Sequence, residues 1–301
     1  MIQLKNFNNL LFTAIISLTL FPAMAAKYDP VTQDLEHIDS QFPPAFYEIF
    51  IPVDDLKLTG FILRANGKGP HPSVVLMHGL PGNEKNLDLA QSLRRAGFNV
   101  LFFHYRGSWG SEGNYSFLSL HKDALAALAF LRKNAETYSV DTQKLSLIGH
   151  SFGGYTALRA GSIDKNLNCV VGISAANPGA IAQSKRISKT NESSPFGQYI
   201  DQLIMLRNFP GEQAVQELKT HASEMDTRTY GKGLKNKRVL LIVGKQDQTV
   251  PKEIQQDVYK HYQKIAGLDV TSQVIAGDHA FSVSRIKMQH HIVKWMQSHC
   301  M

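Results

Sequence analysis

The chain has few cysteines, since only two thiols, at positions 169 and 300, occur in 301 residues. Two cysteines cannot build the dense disulfide framework of small secreted domains, so the fold must rest on a hydrophobic core. Hydrophobic residues make up 43% of the chain, which excludes a disordered or low-complexity protein. Cys169 lies in an apolar run, so we expect a buried core residue there and a free thiol at Cys300. A bridge between the two is the alternative.

Long runs of one charge are also missing. The formal net charge is +7, but no run of five or more basic residues occurs. Nucleic-acid binding typically shows clustered basic residues, which this chain lacks. We therefore interpret the positive charge as ordinary surface basicity and expect no nucleic-acid partner.

Long apolar segments are confined to the N-terminus. Lys5 precedes an apolar stretch of 12 residues, 10–21, and small residues follow at Ala23 and Ala25. This order predicts a secretory signal peptide over residues 1–25, cleaved after Ala25. An uncleaved anchor is the alternative, although a bilayer span needs roughly 20 apolar residues. We expect the mature chain, residues 26–301, to be exported to the periplasm or secreted, without stable membrane insertion.

Most apolar segments of the mature chain have the pattern of β-strands. Residues 46–51 and 58–63 alternate between apolar and polar side chains, which predicts an antiparallel pair with its turn near Asp54 and Asp55. Short continuous apolar runs follow, typical of strands covered on both faces. These runs are residues 73–77, 99–103, 144–148, 169–173, 238–243 and 270–276.

Helical patterns lie between these runs. They cover residues 87–96, 120–132, 152–160, 253–266 and 286–297. Repeated alternation of strand and helix predicts an α/β fold with a mostly parallel eight-stranded sheet and helices on both of its faces.

One segment, about 177–230, breaks this alternation. It has no strand pattern, and its basic and acidic residues balance. Because it follows a core strand, we expect a helical cap inserted over the carboxyl edge of the sheet, where open α/β folds bind ligands. A peripheral helical decoration is the alternative. Phe196, Tyr199 and Met205 of this segment are candidates for an apolar acyl pocket.

The sharpest motif is Gly-His-Ser-Phe-Gly at residues 149–153, a G-x-S-x-G between an apolar strand and a helix. In that context the serine occupies a strained turn, and its hydroxyl stands clear of the sheet. Ser151 is therefore the predicted nucleophile.

A serine hydroxyl needs a base, and the base needs a carboxylate that holds its tautomer. Asp247 follows the strand at 238–243, and His279 follows the strand at 270–276. The chain order Ser, Asp, His is the order expected for this kind of turn and sheet. Asp278 is a weaker candidate for the acid, because it is adjacent to His279.

The loop at residues 78–82, His-Gly-Leu-Pro-Gly, follows the strand at 73–77. Backbone N–H groups must stabilise the oxyanion of acyl transfer, and we expect those of Phe152 and Leu80 to do so. Pro81 has no N–H to donate. His78 is interpreted as a histidine that shapes this loop by bonding to its backbone, with a catalytic role as the alternative. Neither HExxH nor a Cys/His cluster occurs, so no metal site is predicted.

Together these motifs resemble those of the α/β-hydrolase superfamily, and the resemblance extends from about Phe46 onward. The loop at 78–82 and Tyr-Arg-Gly-Ser-Trp-Gly-Ser-Glu-Gly at 105–113 look like the prolyl-oligopeptidase-like and dienelactone-hydrolase-like branches. The resemblance implies hydrolysis of an ester, thioester or amide through an acyl-serine, without a cofactor. It also implies that the segment at 105–113 shapes the floor of the active site. Dienelactone hydrolases use a cysteine nucleophile, and here the residue is serine.

Tyr105, Arg106 and Trp109 are accordingly candidates for the wall of the substrate pocket. Arg106 could recognise a substrate carboxylate, or it could bond to loop carbonyls. We expect a serine esterase acting on small or medium acyl substrates. An exported peptidase of aminoacyl or dipeptidyl type and a non-catalytic binding protein on the same fold are the alternatives. The sequence leaves the oligomeric state open.

Overall fold

The computed structural model describes residues 28–185, 187 and 194–301. The predicted signal peptide at residues 1–25 lies outside the described residues, as do several positions of the predicted cap. Among the described residues, no helix combines the length and the apolar character needed to cross a bilayer.

The described chain forms an eight-stranded sheet with the order β1-β2-β4-β3-β5-β6-β7-β8. Strands β1 and β2 pair antiparallel, β2 pairs antiparallel with β4, and all other neighbours are parallel. The strands are β1 Ala45–Val53, β2 Leu56–Arg64, β3 His71–Met77, β4 Asn99–Phe103, β5 Val140–His150, β6 Cys169–Ile173, β7 Arg238–Gly244 and β8 Asp269–Ile275.

Helices cover both faces of this sheet. Helices α1 and α9 pack on one face, and α2, α4 and α8 pack on the other, each layer closing a separate hydrophobic cluster. The helices are α1 Leu87–Arg95, α2 Leu120–Lys133, α3 Ala135–Tyr138, α4 Phe152–Ile163, α5 Pro178–Ala182, α6 Pro195–Asp201, α7 Gly211–Thr220, α8 Lys252–Gln263 and α9 Arg285–His299. The predicted α/β fold is therefore confirmed.

The segment between β6 and β7 contains α5, α6, α7 and a 3₁₀ helix at Thr227–Lys232. Helices α5 and α6 start with proline after Asn177 and Ser194, whose side chains accept hydrogen bonds from backbone N–H groups. Such residues fit a helix start, because the first N–H groups of a helix have no partner inside it. Helix α6 reaches the carboxyl edge of the sheet, where Phe196 and Tyr199 line the same cavity as Ser151, the residue after β5.

The expectation of a free Cys300 is wrong, because Cys300 forms a disulfide with Cys169. Both cysteines are buried, as predicted for Cys169. Cys169 begins β6, and Cys300 directly follows α9, so the bridge ties the C-terminus to the central sheet. The partners are 131 positions apart in the chain, and only the packing of α9 brings them together.

Candidate active site

Ser151 occupies the turn between β5 and α4 with φ 57° and ψ −120°, a conformation that a residue with a side chain seldom adopts. The surrounding backbone holds it there. The N–H of Ser151 donates to the carbonyl of Ile173 at 2.9 Å, and the N–H of Ala176 donates to the carbonyl of Ser151 at 2.9 Å. A strained backbone persists only where its neighbours determine it, and here the end of β6 does so.

The glycines of the motif are required by close backbone contacts. A Cβ atom at Gly149 would lie 2.0 Å from the carbonyl oxygen of Gly153. A Cβ atom at Gly153 would lie 2.4 Å from the carbonyl oxygen of Met77. These distances are shorter than any van der Waals contact, so only glycine lets β5 and α4 approach β3 at this turn. The spacing of the G-x-S-x-G motif thus has a direct steric cause.

Asp247 and His279 meet beyond the carboxyl ends of β7 and β8. The Nδ1 atom of His279 lies 2.8 Å from Oδ2 of Asp247, whose side chain is fully buried. The other carboxylate oxygen of Asp247 accepts the backbone N–H groups of Thr249 and Val250. Burial raises the pKa of Asp247, but the hydrogen bond and the charge of His279 outweigh it, and the pKa lies below its ordinary value. Asp247 is therefore a carboxylate that orients His279.

Asp278 has different partners. Its two carboxylate oxygens accept the N–H and the hydroxyl of Ser282 in the following turn. Of the two aspartates considered from the sequence, Asp247 is the one that bonds to the ring of His279.

His150 links the turn of Ser151 to the loop of His279. Sequence reasoning did not identify this role of His150. Its Nε2 atom donates to the carbonyl of His279 at 2.8 Å, and the two rings lie 4.7 Å apart. Burial lowers the pKa of His150 to about 3, so the ring is neutral and stays a single-proton donor. The residue before Ser151 therefore anchors the backbone of the predicted base. Its place inside the motif was the one signal available in the sequence.

Leu80 and Phe152, the predicted oxyanion donors, both border Ser151. Phe152 is the first residue of α4, so its N–H has no acceptor within the helix. The N–H of Leu80 donates to no group among the described residues. A Cβ atom at Gly79 would lie 2.8 Å from the Cβ of Ser151, which shows how closely this loop packs against the serine. Within the described part of the chain, neither of these two N–H groups has a partner, and both residues line the same cavity as Ser151.

A cavity of about 410 Å³ opens over Ser151. Most of its lining is apolar, and part of it comes from helices α5 and α6 of the inserted segment. The lining residues are Leu80, Ser151, Phe152, Ala176, Ile181, Pro195, Phe196, Tyr199, Thr249 and Val250. Phe196 and Tyr199 were candidates from the sequence, whereas Met205, the third, is not among these residues.

The predicted pocket wall of Tyr105, Arg106 and Trp109 differs from this lining, since none of the three borders the cavity. Arg106 points to the buried carboxylate of Asp123, 2.6 Å from its guanidinium, and to the exposed Asp54. Tyr105 is buried, and its hydroxyl donates to the carbonyl of His78 at 3.3 Å. Arg106 and Tyr105 thus bond to groups outside the cavity lining.

Trp109 contacts the loop at 78–82 from outside. Its indole N–H donates to the carbonyl of Pro81 at 2.7 Å, and Nζ of Lys85 lies 4.8 Å from the ring centroid. His78 bonds to the carbonyl of Gly79 at 2.7 Å, as expected of a loop-shaping histidine. Sequence reasoning missed His104, whose Nδ1 atom lies 3.2 Å from Nε2 of His78. The one signal in the sequence was its position directly before Tyr105, at the start of the segment 105–113.

Comparisons with known proteins agree with this architecture. The BD-FAE family model matches residues 61–193, which include the loop at 78–82 and Ser151. The uncharacterized protein YfhR of Salmonella typhi is 29% identical over 164 residues, which cover 50% of this chain and 52% of YfhR. This chain spans about half the length of the curated relatives that it matches.

Solved structures extend the likeness to most of the chain. Est1E from Butyrivibrio proteoclasticus has a TM-score of 0.66 at 18% identity, covering 84% of this chain and 98% of Est1E. The esterase Pf2001 of Pyrococcus furiosus has a TM-score of 0.62 at 20% identity, covering 87% of this chain and 94% of Pf2001. The family match over the turn of Ser151 and the likeness of the whole sheet lead to one conclusion: this chain has the α/β-hydrolase fold.

Proposed function

We propose that the protein is a serine hydrolase that cleaves carboxylic esters, or thioesters, of small to medium acyl groups. The observation that carries this proposal is the 2.8 Å hydrogen bond between Asp247 and His279, at the edge of the sheet where Ser151 forms its strained turn. A serine after β5, a buried carboxylate after β7 and an oriented histidine after β8 have the composition of a hydrolytic triad.

In the proposed reaction, His279 takes the proton of the Ser151 hydroxyl as the serine oxygen attacks the acyl carbonyl. Asp247 stabilises the imidazolium, and the N–H groups of Leu80 and Phe152 stabilise the oxyanion. Collapse of the tetrahedral intermediate breaks the bond to the alcohol or thiol, which leaves with the proton from His279. Water, deprotonated by His279, then attacks the acyl-serine and releases the carboxylic acid.

The cavity supports this substrate class. Its volume of about 410 Å³ lies near the lower end of ordinary ligand pockets, and the aromatic and aliphatic side chains of its lining suit an uncharged acyl group. Among the similar structures, Pf2001 is an esterase, and Est1E has been solved with ferulic acid bound. These proteins support ester hydrolysis as the general reaction.

Labelling and mutation test the assignment. A fluorophosphonate should label the purified protein at Ser151, and Ser151→Ala should abolish both labelling and turnover of p-nitrophenyl esters. Ser162→Ala, on the same helix α4 but away from the cavity, is the matched control and should behave like the wild type. Labelling that persists in Ser151→Ala would overturn the proposal.

A substrate panel separates the esterase from the peptidase alternative. Esters of graded acyl length should be hydrolysed best at short and medium lengths, and aminoacyl and dipeptidyl amides should be hydrolysed poorly. Faster turnover of dipeptidyl amides than of every ester would instead favour an exported peptidase.

We further propose that the protein acts outside the cytoplasm. The predicted signal peptide supports this location, and so does the disulfide between Cys169 and Cys300, because such bonds persist in oxidising compartments. Mature protein recovered from an expressing bacterium should begin at Ala26 and carry no titratable thiol after denaturation. Protein retained in the cytoplasm with an intact N-terminus would contradict this location.

A further inference from the structure

The loop at 78–82 positions one of the two proposed oxyanion donors, and its geometry depends on one peptide unit. Gly79 and Leu80 are joined by a trans peptide, in which the carbonyl of Gly79 and the N–H of Leu80 point in opposite directions. A group that holds the carbonyl of Gly79 therefore also directs the N–H of Leu80. Leu80 lines the cavity beside Ser151.

The group that holds this carbonyl is the ring of His78. Its Nδ1 atom lies 2.7 Å from the oxygen of Gly79, and since a carbonyl only accepts, Nδ1 must carry the proton. The ring of a neutral histidine carries one proton, so Nε2 of His78 is then an acceptor. The orientation of the peptide depends on His78 keeping this tautomer.

His104 faces that acceptor. Its Nδ1 atom lies 3.2 Å from Nε2 of His78, and the pair is satisfied only if His104 donates. A second proton on His78 would place two N–H groups against each other. Burial lowers the pKa of His78 to about 4 and that of His104 to about 3, which keeps both rings neutral.

His104 is itself held in place by groups on three sides. Its backbone N–H donates to the carbonyl of Thr59, and its carbonyl accepts the hydroxyl of Ser111. The ring stacks on Trp109, with centroids 5.9 Å apart, and Trp109 in turn bonds to the carbonyl of Pro81 in the same loop. A Cβ atom at Gly82 would lie 2.6 Å from His78, so the end of the loop packs directly on this ring.

We propose that His104 is a positioning residue for the oxyanion hole. By donating to Nε2 of His78 it selects the tautomer that holds the carbonyl of Gly79, and so it directs the N–H of Leu80 toward the reacting carbonyl. The kinetic consequences of this inference rest on the proposed hydrolase function. The tautomers of His78 and His104 rest on the ring geometry alone.

Two variants test the kinetic consequence. His104→Asn keeps an N–H donor near the position of Nδ1, whereas His104→Leu has a side chain of similar size without a donor. We expect His104→Leu to lower kcat for p-nitrophenyl esters about tenfold, less than the 10²–10³-fold typical of losing a whole oxyanion donor. KM should stay within about twofold, and His104→Asn should recover most of the loss.

An inhibitor pair distinguishes this role from a general structural defect. A trifluoromethyl ketone forms an oxyanion on addition of the serine, whereas the matching secondary alcohol does not. Affinity for the ketone should fall in His104→Leu in parallel with kcat, and affinity for the alcohol should be unchanged. Equal loss for both compounds, or equal kcat in the Leu and Asn variants, would overturn the proposal.

The tautomers can be measured without any activity. With ¹⁵N-histidine labelling, long-range ¹H–¹⁵N spectra of the wild-type protein should show the proton on Nδ1 in both His78 and His104. A proton on Nε2 of His78 would overturn the inference even if the protein is an active esterase. An inactive wild-type protein with the expected tautomers would instead contradict the proposed function and leave the ring geometry standing. The spectra also decide the question if His104→Leu does not fold.

Discussion

The carboxylate of Asp247 lies 2.8 Å from Nδ1 of His279 and accepts two backbone N–H groups of its own loop. Together these hydrogen bonds fix the orientation of the Asp247 carboxylate. Because the partner of Nδ1 determines which nitrogen of His279 is free to act as the base, this contact links the fold to the proposed chemistry.

Asp247→Asn should lower kcat for p-nitrophenyl esters by about 10³–10⁴-fold, because an amide no longer stabilises the imidazolium or its tautomer. The thermal midpoint should change little, since the two residues are nearly the same size. Asp278→Asn is the matched control, and its kcat should stay within about threefold of the wild type. Comparable losses in both variants would contradict the assignment of Asp247.

The disulfide should stabilise the fold without affecting the site. Cys169 lies at the amino end of β6, and the proposed catalytic residues follow the carboxyl ends of strands. The double variant Cys169→Ala with Cys300→Ala should lose about 2–4 kcal/mol of unfolding free energy in urea. Its kcat at 25 °C should remain within about twofold. A large loss of kcat in folded protein would show coupling between the two edges of the sheet.

Arg106 should matter for stability and not for substrate recognition. Arg106→Met leaves the carboxylate of Asp123 buried without its charge partner, which should cost about 3–5 kcal/mol of unfolding free energy. Adding Asp123→Leu should restore at least half of that loss. Asp54→Asn, which removes the exposed partner, should change stability by less than about 1 kcal/mol. A selective rise of KM for acidic substrates in Arg106→Met would instead favour carboxylate recognition.

Stability should fall with pH below about 6.5, because several buried or half-buried histidines have lowered pKa values. The values are about 4 for His78, 3 for His104, 4 for His121 and 3 for His150. Burial is the largest cause in each case. Between these values and 6.5 the unfolded chain binds protons that the folded chain does not, so unfolding becomes easier as pH falls through this window.

Urea unfolding at pH 7.5, 6.5, 5.5 and 4.5 measures this dependence. His121→Leu should make the slope shallower, because it removes one buried titrating group whose Nδ1 has no partner among the described residues. His37→Gln replaces an exposed histidine and should leave the slope unchanged. A slope that is the same in all three proteins would contradict the prediction for His121.

Much of the sheet was predictable because a strand covered on both faces requires a continuous apolar run. The run at 169–173 matches β6 residue for residue. β5 begins at Val140, four residues before its predicted start. The residues after Val140 are only partly buried and include the polar Asp141 and Thr142, so they do not continue the apolar run. Apolar patterning detects burial, so it misses the exposed end of a strand.

The positions of Ser151, Asp247 and His279 were also predictable, since each follows a strand at the same edge of a parallel sheet. The direction of a loop side chain was not. Arg106 and Trp109 lie in a loop without periodicity, and only the positions of Asp123 and Pro81 decide where their side chains point.

The sequence by itself determined the fold class and the strand ends that carry Ser151, Asp247 and His279. Both depend on local patterns, namely continuous apolar runs and the glycines of a tight turn, which involve residues close together in the chain. The disulfide, the cavity lining and the contacts of His104 and His150 were decided by tertiary structure alone. Each of them joins residues far apart in the chain, such as Cys169 and Cys300. Their proximity depends on how helices and loops pack across the sheet, which no local pattern encodes.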